Sequence, residues 1–238
     1  MDAHVLSTLL QAAGLPATYS YAGVTLTRRT PALPTRVGGF GGVEGLVQYL
    51  QAQRITHVID ATHPFAAQMS RHAISACAAL GIPLLAMERP TWQALPGDQW
   101  LHVPDMDAAA QALTPQMPRV FLAIGRKQLA AFAPRAAQHH FVLRVIDRTD
   151  EALPLPAFSY ELLIARGPFA LADERALLQR HAIAAIVSKN AGGADTYAKI
   201  AAARELRLPV VMVDRPQLPA RTRCETPQQA MQWLDSQR

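Results

Sequence analysis

Two hydrophobic patterns alternate along the chain. Short, nearly uninterrupted runs of Val, Ile and Leu are typical of strands that are buried on both faces of a sheet. Stretches in which apolar residues recur every three or four positions are typical of helices that pack one face against such a sheet. The first pattern predicts strands at 17–21, 56–59, 82–87, 120–124, 141–145, 162–165, 183–187 and 209–213. The second predicts a helix that ends at Gly14, one around 46–50, one over about 66–80, a short one after 104, one that ends near 137, and three over 171–181, 195–206 and 227–236.

This alternation predicts an α/β fold with two Rossmann-like, doubly wound parallel-sheet domains and a cleft between them. Periodicity is lost between Pro115 and Pro118, and a fresh apolar strand follows. We therefore expect an N-terminal domain over 1–116 and a C-terminal domain over 117–238. The segment 90–104 is punctuated by prolines, and we expect little regular structure in it.

Composition narrows the choice of partners. The chain has 238 residues, half of them hydrophobic, and a formal net charge of +5. This excess favours anionic ligands, although charge that serves only solubility is an open alternative. The basic residues are scattered, which argues against a nucleic-acid arm. The longest uncharged stretch, 72–87, contains Gly81 and Pro83, and two unpaired cysteines suit a reducing compartment. We therefore expect a cytoplasmic protein with no membrane span.

Polar, glycine-bearing loops follow several predicted strands. In open α/β sheets, ligands bind beyond the carboxyl ends of the strands, where loop N–H groups and helix N-termini attract anions. Several such loops in one chain suit a large, multiply anionic ligand better than one small metabolite. The loops are 61–65, 88–90, 125–126, 166–169 and 188–193.

The most distinctive loop follows the strand predicted at 56–59. It places Thr62, His63 and Phe65 before a helix, as a hydroxyl, an imidazole and an aromatic ring for a ligand. The alternative is that Asp60 or Thr62 caps the helix while Phe65 packs in the core. No second His, Cys or carboxylate stands at ligand spacing from His63, so no metal site is predicted.

The loop 188–193 resembles a phosphate loop but lacks the order of a Walker motif. Lys189 is a candidate carboxylate ligand, and the alternative is a tight turn with a solvated lysine. Arg126, Arg144 and Arg166 are candidate anion ligands or simply solvent-facing charges.

The glycine-rich loop 36–42 would let a backbone approach a cofactor closely. It lacks the spacing of a dinucleotide fingerprint and follows no clear strand, and Phe40 within it could equally fill the core. No Ser-His-Asp or Cys-His arrangement is readable, so covalent catalysis is not favoured.

These segments together resemble one family, the precorrin-6A reductases of cobalamin biosynthesis. The run Asp60–Ala66 is the most specific match, and the resemblance extends in order over nearly the whole chain. The matching segments are 36–42, 58–66, 88–90 with Trp92, 121–125, 165–169, 187–190 with 192–193, Thr196 and Lys199, 208–211 and 215–216.

The resemblance implies an oxidoreductase that transfers a hydride from NADPH to precorrin-6A or cobalt-precorrin-6A, giving precorrin-6B. The cofactor would supply the hydride chemistry, so no strong general base is needed. His63 and Lys189 are assigned as the catalytic residues that could deliver the following proton. Cofactor binding is assigned to Gly38, Gly39, Gly41, Gly42, Thr62, Phe65 and Arg89. Substrate binding is assigned to Arg126, Arg144, Arg166, Ser188, Asn190, Gly192, Gly193 and Lys199.

One departure from the family concerns the first residues. Members look as though they begin with a strand and a glycine-rich turn, whereas Met1 here stands where the first helix should already have begun. We expect from this that the start was assigned too late or that the chain is clipped.

Two other functions stay open. One is a non-catalytic tetrapyrrole-binding protein derived from a reductase, and the other is a hydrolase or isomerase of a nucleotide-sugar-like anion. Channelling contacts with other corrin-pathway enzymes are a further expectation.

Overall fold

Every strand pair in the described residues of the computed structural model is parallel. The structure describes residues 2–21, 33–146 and 152–237. The strands are β1 (Tyr19–Tyr21), β2 (Thr35–Val37), β3 (Val58–Asp60), β4 (Leu84–Met87), β5 (Gln99–Val103), β6 (Arg119–Ala123), β7 (His140–Val145), β8 (Tyr160–Ile164), β9 (Ala185–Lys189), β10 (Pro209–Val213) and β11 (Thr222–Cys224). The α-helices are α1 (Asp2–Ala12), α2 (Gly42–Ala52), α3 (Ala67–Leu80), α4 (Met106–Gln111), α5 (Leu171–Arg180), α6 (Ala198–Glu205) and α7 (Pro227–Ser236).

The chain divides into two units. Unit 1 consists of Met1–Pro90 and Gln217–Arg238, and unit 2 consists of Thr91–Pro216. The expected boundary at 116/117 is therefore not where the structure divides the chain. The physical reason is pairing: β5 joins β10 in the sheet of unit 2, while β11 returns to pair with β4 in unit 1.

Unit 1 contains a three-stranded sheet in the order β11-β4-β3 and a separate pair, β1-β2. Helices α1 and α7 pack together, and so do α2 and α3. Two apolar clusters hold these layers. One contains Leu6, Leu10, Leu85, Met87 and Ala230, and the other contains Leu46, Leu50, Ala73, Ala76 and Cys77.

Unit 2 contains a six-stranded sheet in the order β5-β10-β9-β6-β7-β8. From β6 the chain builds β7 and β8 on one side, and it then crosses to build β9 and β10 on the other. The switch point of this doubly wound sheet therefore lies between β6 and β9, because the chain continues from these two strands to opposite sides of the sheet. Buried Phe121, Val142, Ile186, Val210 and Met212 form the centre of the core.

The structure confirms the α/β class and corrects several elements. The segment expected to be irregular contains β5, an edge strand whose ladder with β10 supplies its backbone partners. A strand, β2, does precede the glycine-rich loop, and β11 was missed. The helix expected to end near 137 is a 3₁₀ helix, Arg126–Arg135, in which Pro134 lacks the N–H needed for a regular helical ladder.

Unit 2 also encloses an ion pair. Arg144 of β7 contacts the carboxylate of Glu174 of α5 with both terminal nitrogens, and its second nitrogen lies 3.0 Å from Oε2. The two side chains are only 8% and 2% exposed. The Arg144 guanidinium also lies over the rings of Phe169, at 3.7 Å, and Phe121, at 5.0 Å. A charge enclosed in this way depends on its partner, because water cannot replace it.

We expect Glu174→Gln to lower the free energy of unfolding by about 3–5 kcal/mol, because it leaves the Arg144 charge buried without a counter-charge. Urea denaturation measures this. The matched control is Glu205→Gln, which breaks the exposed Arg175–Glu205 pair, whose atoms lie 3.4 Å apart. That pair is expected to contribute at most about 1 kcal/mol. Equal losses in the two variants would contradict a special role for the buried pair.

Candidate functional site

A buried carboxylate organises the loop after β3. Asp60 ends the strand and accepts hydrogen bonds from the Thr62 backbone N–H at 3.1 Å, the Thr62 hydroxyl at 2.7 Å and the Ser70 hydroxyl at 2.6 Å. Asp60 therefore ties the loop to α3 through Ser70, although it does not cap that helix, whose N-cap is Ala66. The capping alternative considered for Asp60 is thus not what the structure shows.

The rest of this loop carries the residues predicted to face a ligand. The backbone N–H of Phe65 donates to Nδ1 of His63 at 3.2 Å, and the two rings lie 5.8 Å apart. A neutral His63 in this arrangement carries its proton on Nε2. Arg89, which follows β4, lies at the same sheet edge because β3 and β4 are parallel neighbours. Its Nε is 3.3 Å from the carboxylate of Asp2.

The glycine-rich loop of unit 1 is held by its own arginine. Arg36 donates to the carbonyls of Gly38 at 2.7 Å and Gly39 at 2.5 Å. Its guanidinium also lies 3.7 Å from the centre of the Phe40 ring. The loop leads into α2, whose N-cap, Gly41, has φ 79° and offers no side-chain cap. Gly41 has no side chain that could bond the first N–H groups of α2.

Close packing explains why one residue of α2 is glycine. A Cβ at Gly45 would stand 1.7 Å from the carbonyl oxygen of Phe40. The loop therefore runs directly against the helix at this point. The predicted cofactor residues Gly38, Gly39, Gly41 and Gly42 thus lie in one strand–loop–helix connection between β2 and α2, which the sequence spacing alone did not identify.

In unit 2, several of the predicted substrate residues lie at or just beyond the carboxyl ends of parallel strands, which share one edge of the sheet. Arg126 follows β6 and Lys189 ends β9, and these strands flank the switch point. Arg166 follows β8 and is exposed. Gly167 beside it approaches the carbonyl of Asp195, which its hypothetical Cβ would meet at 3.4 Å. The loops 166–169 and 190–196 therefore adjoin each other.

Trp92 clamps the loop after β9. Its backbone N–H donates to Oδ1 of Asn190 at 2.8 Å, and its carbonyl accepts from Nδ2 at 3.1 Å. Its indole N–H donates to the carbonyl of Gly193 at 2.7 Å. Arg215 holds the same loop by donating to the carbonyls of Asn190 and Ala191, both at 3.0 Å.

Several predicted substrate ligands turn out to be interior residues. Ser188 lies within β9 and is buried, and Asn190 is buried with both ends of its amide bonded to Trp92. Arg144 is paired with Glu174. These side chains position the loops, and their polar groups are already occupied. Of the other predicted substrate residues in these loops, Arg166 is exposed, Arg126, Lys189 and Gly193 are partly buried, and Gly192 is buried.

Both lysines of this region have depressed pKa values. Burial lowers the pKa of Lys189 to about 8. Burial also lowers the pKa of Lys199 to about 7; the nearby charge of Arg144 adds to this, and Glu174 opposes it. Lys199 is 4% exposed, and its ammonium donates to the carbonyl of Thr196 at 2.7 Å. A desolvated amine that titrates near neutrality is common at functional sites.

Sequence reasoning named Trp92, Arg215 and Thr196 only as part of a family resemblance and assigned them no role. The contacts of Trp92 and Arg215 reach across about 25 to 100 positions of the chain, as in the Trp92–Asn190 bond with its separation of 98, whereas Thr196 is contacted by Lys199 three positions away. Nothing in local periodicity signals such pairings. Among the described residues, no group of His, Cys, Asp and Glu side chains could hold a metal ion, and no helix is long and apolar enough to cross a bilayer.

The chain is similar to known proteins over almost its full length. The model of the family described as "Precorrin-6x reductase CbiJ/CobK" matches residues 1–235. A precorrin-6A reductase of Rhodobacter capsulatus is 51% identical over 98% of this chain and 92% of its own length. A cobalt-precorrin-6A reductase of Salmonella typhimurium is 27% identical over 90% of this chain and 84% of its own. A solved structure titled "CobK precorrin-6A reductase" superimposes with a TM-score of 0.92 at 49% identity, covering 99% of this chain and 93% of that one.

The lysine titrations can be observed directly, because the chain contains only three lysines, Lys127, Lys189 and Lys199. We expect NMR of side-chain-labelled lysine to show transitions near pH 8 for Lys189 and near pH 7 for Lys199. The variants Lys189→Met and Lys199→Met assign the signals. Because both folded pKa values lie below those of an unfolded lysine, these groups should make the protein more stable as pH rises from about 7 to about 10. Titration of both groups above pH 10 would contradict this description of the site.

Proposed function

The chain belongs to the precorrin-6x reductase family, and from this premise we propose that it reduces precorrin-6A to precorrin-6B with NADPH during corrin-ring synthesis. The observation that carries the proposal is identity of 51% over 98% of the chain to a precorrin-6A reductase. The geometry supports it, because cationic and amide-rich loops lie at the switch point of the sheet in unit 2, the usual place for an anionic ligand in such folds.

The residues of unit 1 fit a nicotinamide dinucleotide. The connection from β2 through Gly38–Gly42 into α2 presents a helix N-terminus without a side-chain cap, and such ends accept phosphate groups. Arg36 is occupied with the carbonyls of Gly38 and Gly39, so these face the guanidinium and not a phosphate. We propose that this connection holds the pyrophosphate, with Thr62, Phe65 and Arg89 at the cofactor side of the site. When bound, the nicotinamide supplies a hydride.

The residues of unit 2 fit the substrate. We propose that Arg126, Arg166 and Lys189, with the backbone of Gly192 and Gly193, bind the peripheral carboxylates of the tetrapyrrole. Arginine suits a carboxylate through its planar pair of donors, and lysine through a compact point charge. The buried Arg144, Ser188 and Asn190 would then fix the loops that carry these ligands, so that the macrocycle is held in one orientation.

Reduction of a carbon–carbon double bond adds one hydride and one proton. We propose Lys189 or His63 as the group that holds the proton. Burial lowers the pKa of Lys189 to about 8, so its ammonium is a better acid than an ordinary lysine and is still charged at neutral pH. His63 offers Nε2–H, because Nδ1 accepts from Phe65.

The proposal predicts turnover. Anaerobic incubation of the purified protein with precorrin-6A and NADPH should consume the nicotinamide absorbance in proportion to the precorrin-6B formed. Rates with NADH at equal concentration show which dinucleotide the protein uses. Rates with cobalt-precorrin-6A show whether it prefers the cobalt-free or the cobalt-containing substrate. Tight binding of the macrocycle without any NADPH oxidation would overturn the reductase and favour a tetrapyrrole-binding protein. Turnover without a dinucleotide would point to a hydrolase or isomerase.

We expect Lys189→Ala to raise KM for the tetrapyrrole by about tenfold or more, because the variant loses a charged contact that is partly desolvated. Steady-state kinetics at pH 7 measure this. The control is Arg180→Ala, which removes a positive charge from the end of α5, at the amino edge of the sheet and away from the site. An unchanged KM in Lys189→Ala would remove this residue from the site. An equal rise in KM in both variants would mean that the loss of one positive charge, and not the position of Lys189, causes the effect.

A further inference from the structure

Several backbone carbonyl groups of the loop after β9 accept hydrogen bonds from side chains. Arg215 donates to the carbonyls of Asn190 and Ala191. The indole N–H of Trp92 donates to the carbonyl of Gly193, and the ammonium of Lys199 donates to that of Thr196. In a trans peptide the carbonyl and the following N–H point in opposite directions. The N–H groups of Gly192 and Ala194 therefore point away from Arg215 and from the indole.

These N–H groups have no acceptor of their own within the part of the chain that the structure describes. Gly192 and Gly193 have φ values of 71° and 76°, a turn conformation that residues other than glycine rarely adopt. Such a turn binds an anion only while its shape is maintained. A residue that maintains the shape of this turn therefore supports anion binding.

Lys199 is placed to maintain the shape of the loop after β9 without contacting the ligand. Its ammonium lies 4.8 Å from the centre of the Trp92 ring, on the face of the indole whose N–H bonds Gly193. It also donates to Thr196, at the far end of the same loop. The residue is 4% exposed, and the indole itself is 8% exposed. Lys199 thus contacts Trp92, which bonds the loop at Gly193, and it also bonds the loop itself at Thr196. Its own side chain is enclosed by the protein.

We propose that Lys199 is a positioning residue that keeps the 190–196 loop in its anion-binding shape through Trp92 and Thr196, and that it does not contact the substrate. This deepens the proposed function by dividing the two lysines of the site, with Lys189 as the ligand for the tetrapyrrole and Lys199 as the support for the loop. Its depressed pKa is consistent with enclosure in the protein.

The test is Lys199→Met, which keeps most of the length of the side chain and removes its charge. Removing a buried cation should leave the melting temperature unchanged or raise it, since the charged group costs free energy to enclose. The amide hydrogens of peptides that cover 190–197 should nevertheless exchange at least about threefold faster in the unliganded protein. In turnover, KM for the tetrapyrrole should rise about tenfold while kcat changes less than about twofold.

Two further variants make the result decisive. Trp92→Phe keeps the ring and removes the N–H that bonds Gly193, so it should reproduce the faster exchange and the higher KM. Arg175→Met removes a cation that is 52% exposed on α5 and should change neither. Faster exchange confined to the loop in both Lys199→Met and Trp92→Phe supports the proposal.

Two outcomes would overturn it. Unchanged exchange with a raised KM would mean that Lys199 contacts the substrate directly, and unchanged exchange with an unchanged KM would mean that it has no part in the site. A wild-type protein that fails to oxidise NADPH would refute the proposed function, and the exchange measurement, which needs no substrate, would still decide the role of Lys199.

Discussion

Both units depend on the same interaction, in which an arginine side chain donates hydrogen bonds to the backbone carbonyls of a glycine-bearing loop. Arg36 does this for Gly38 and Gly39 in unit 1, and Arg215 does it for Asn190 and Ala191 in unit 2. The backbone carbonyls of a loop without regular structure need hydrogen-bond donors from elsewhere in the protein. A guanidinium that donates to two of these carbonyls fixes the orientation of two peptide planes at once. The N–H groups of the same peptides then face the other way, where an anion can use them. In the function proposed above, each arginine thus shapes an anion site without being its ligand.

Enclosing this much positive charge has a cost, and unit 2 offsets it in different ways. Arg144 has a counter-ion, Glu174, together with the faces of two aromatic rings. Lys199 contacts a carbonyl and an indole face, and burial, reinforced by the charge of Arg144, lowers its pKa to about 7. Lys189, closer to solvent at the end of β9, keeps a pKa of about 8 and so stays charged where a carboxylate would meet it.

The elements that sequence reasoning identified correctly are those that carry their own signal. The strands β6, β7, β9 and β10 are continuous apolar runs because both of their faces are buried, so their positions could be read directly. The strands that were missed or not clearly recognised, β2, β5 and β11, are short or lie at a sheet edge. Their residues are polar on at least one face, and only the neighbouring strand turns them into a ladder. The domain boundary was misplaced for the same reason, since β5 and β11 are assigned to their units by pairing partners distant in sequence.

The sequence by itself determined the fold class, the family and the loops at which chemistry is expected, because these follow from hydrophobic periodicity and from the order of short segments. It did not determine which side chains of those loops face a ligand. Ser188, Asn190 and Arg144 were all read as substrate ligands, and the structure places them inside, bonded to partners or covered by the sheet. Only the tertiary structure decides this, since a polar side chain binds whichever partner packing brings to it. For Asn190 that partner is Trp92, 98 positions away along the chain.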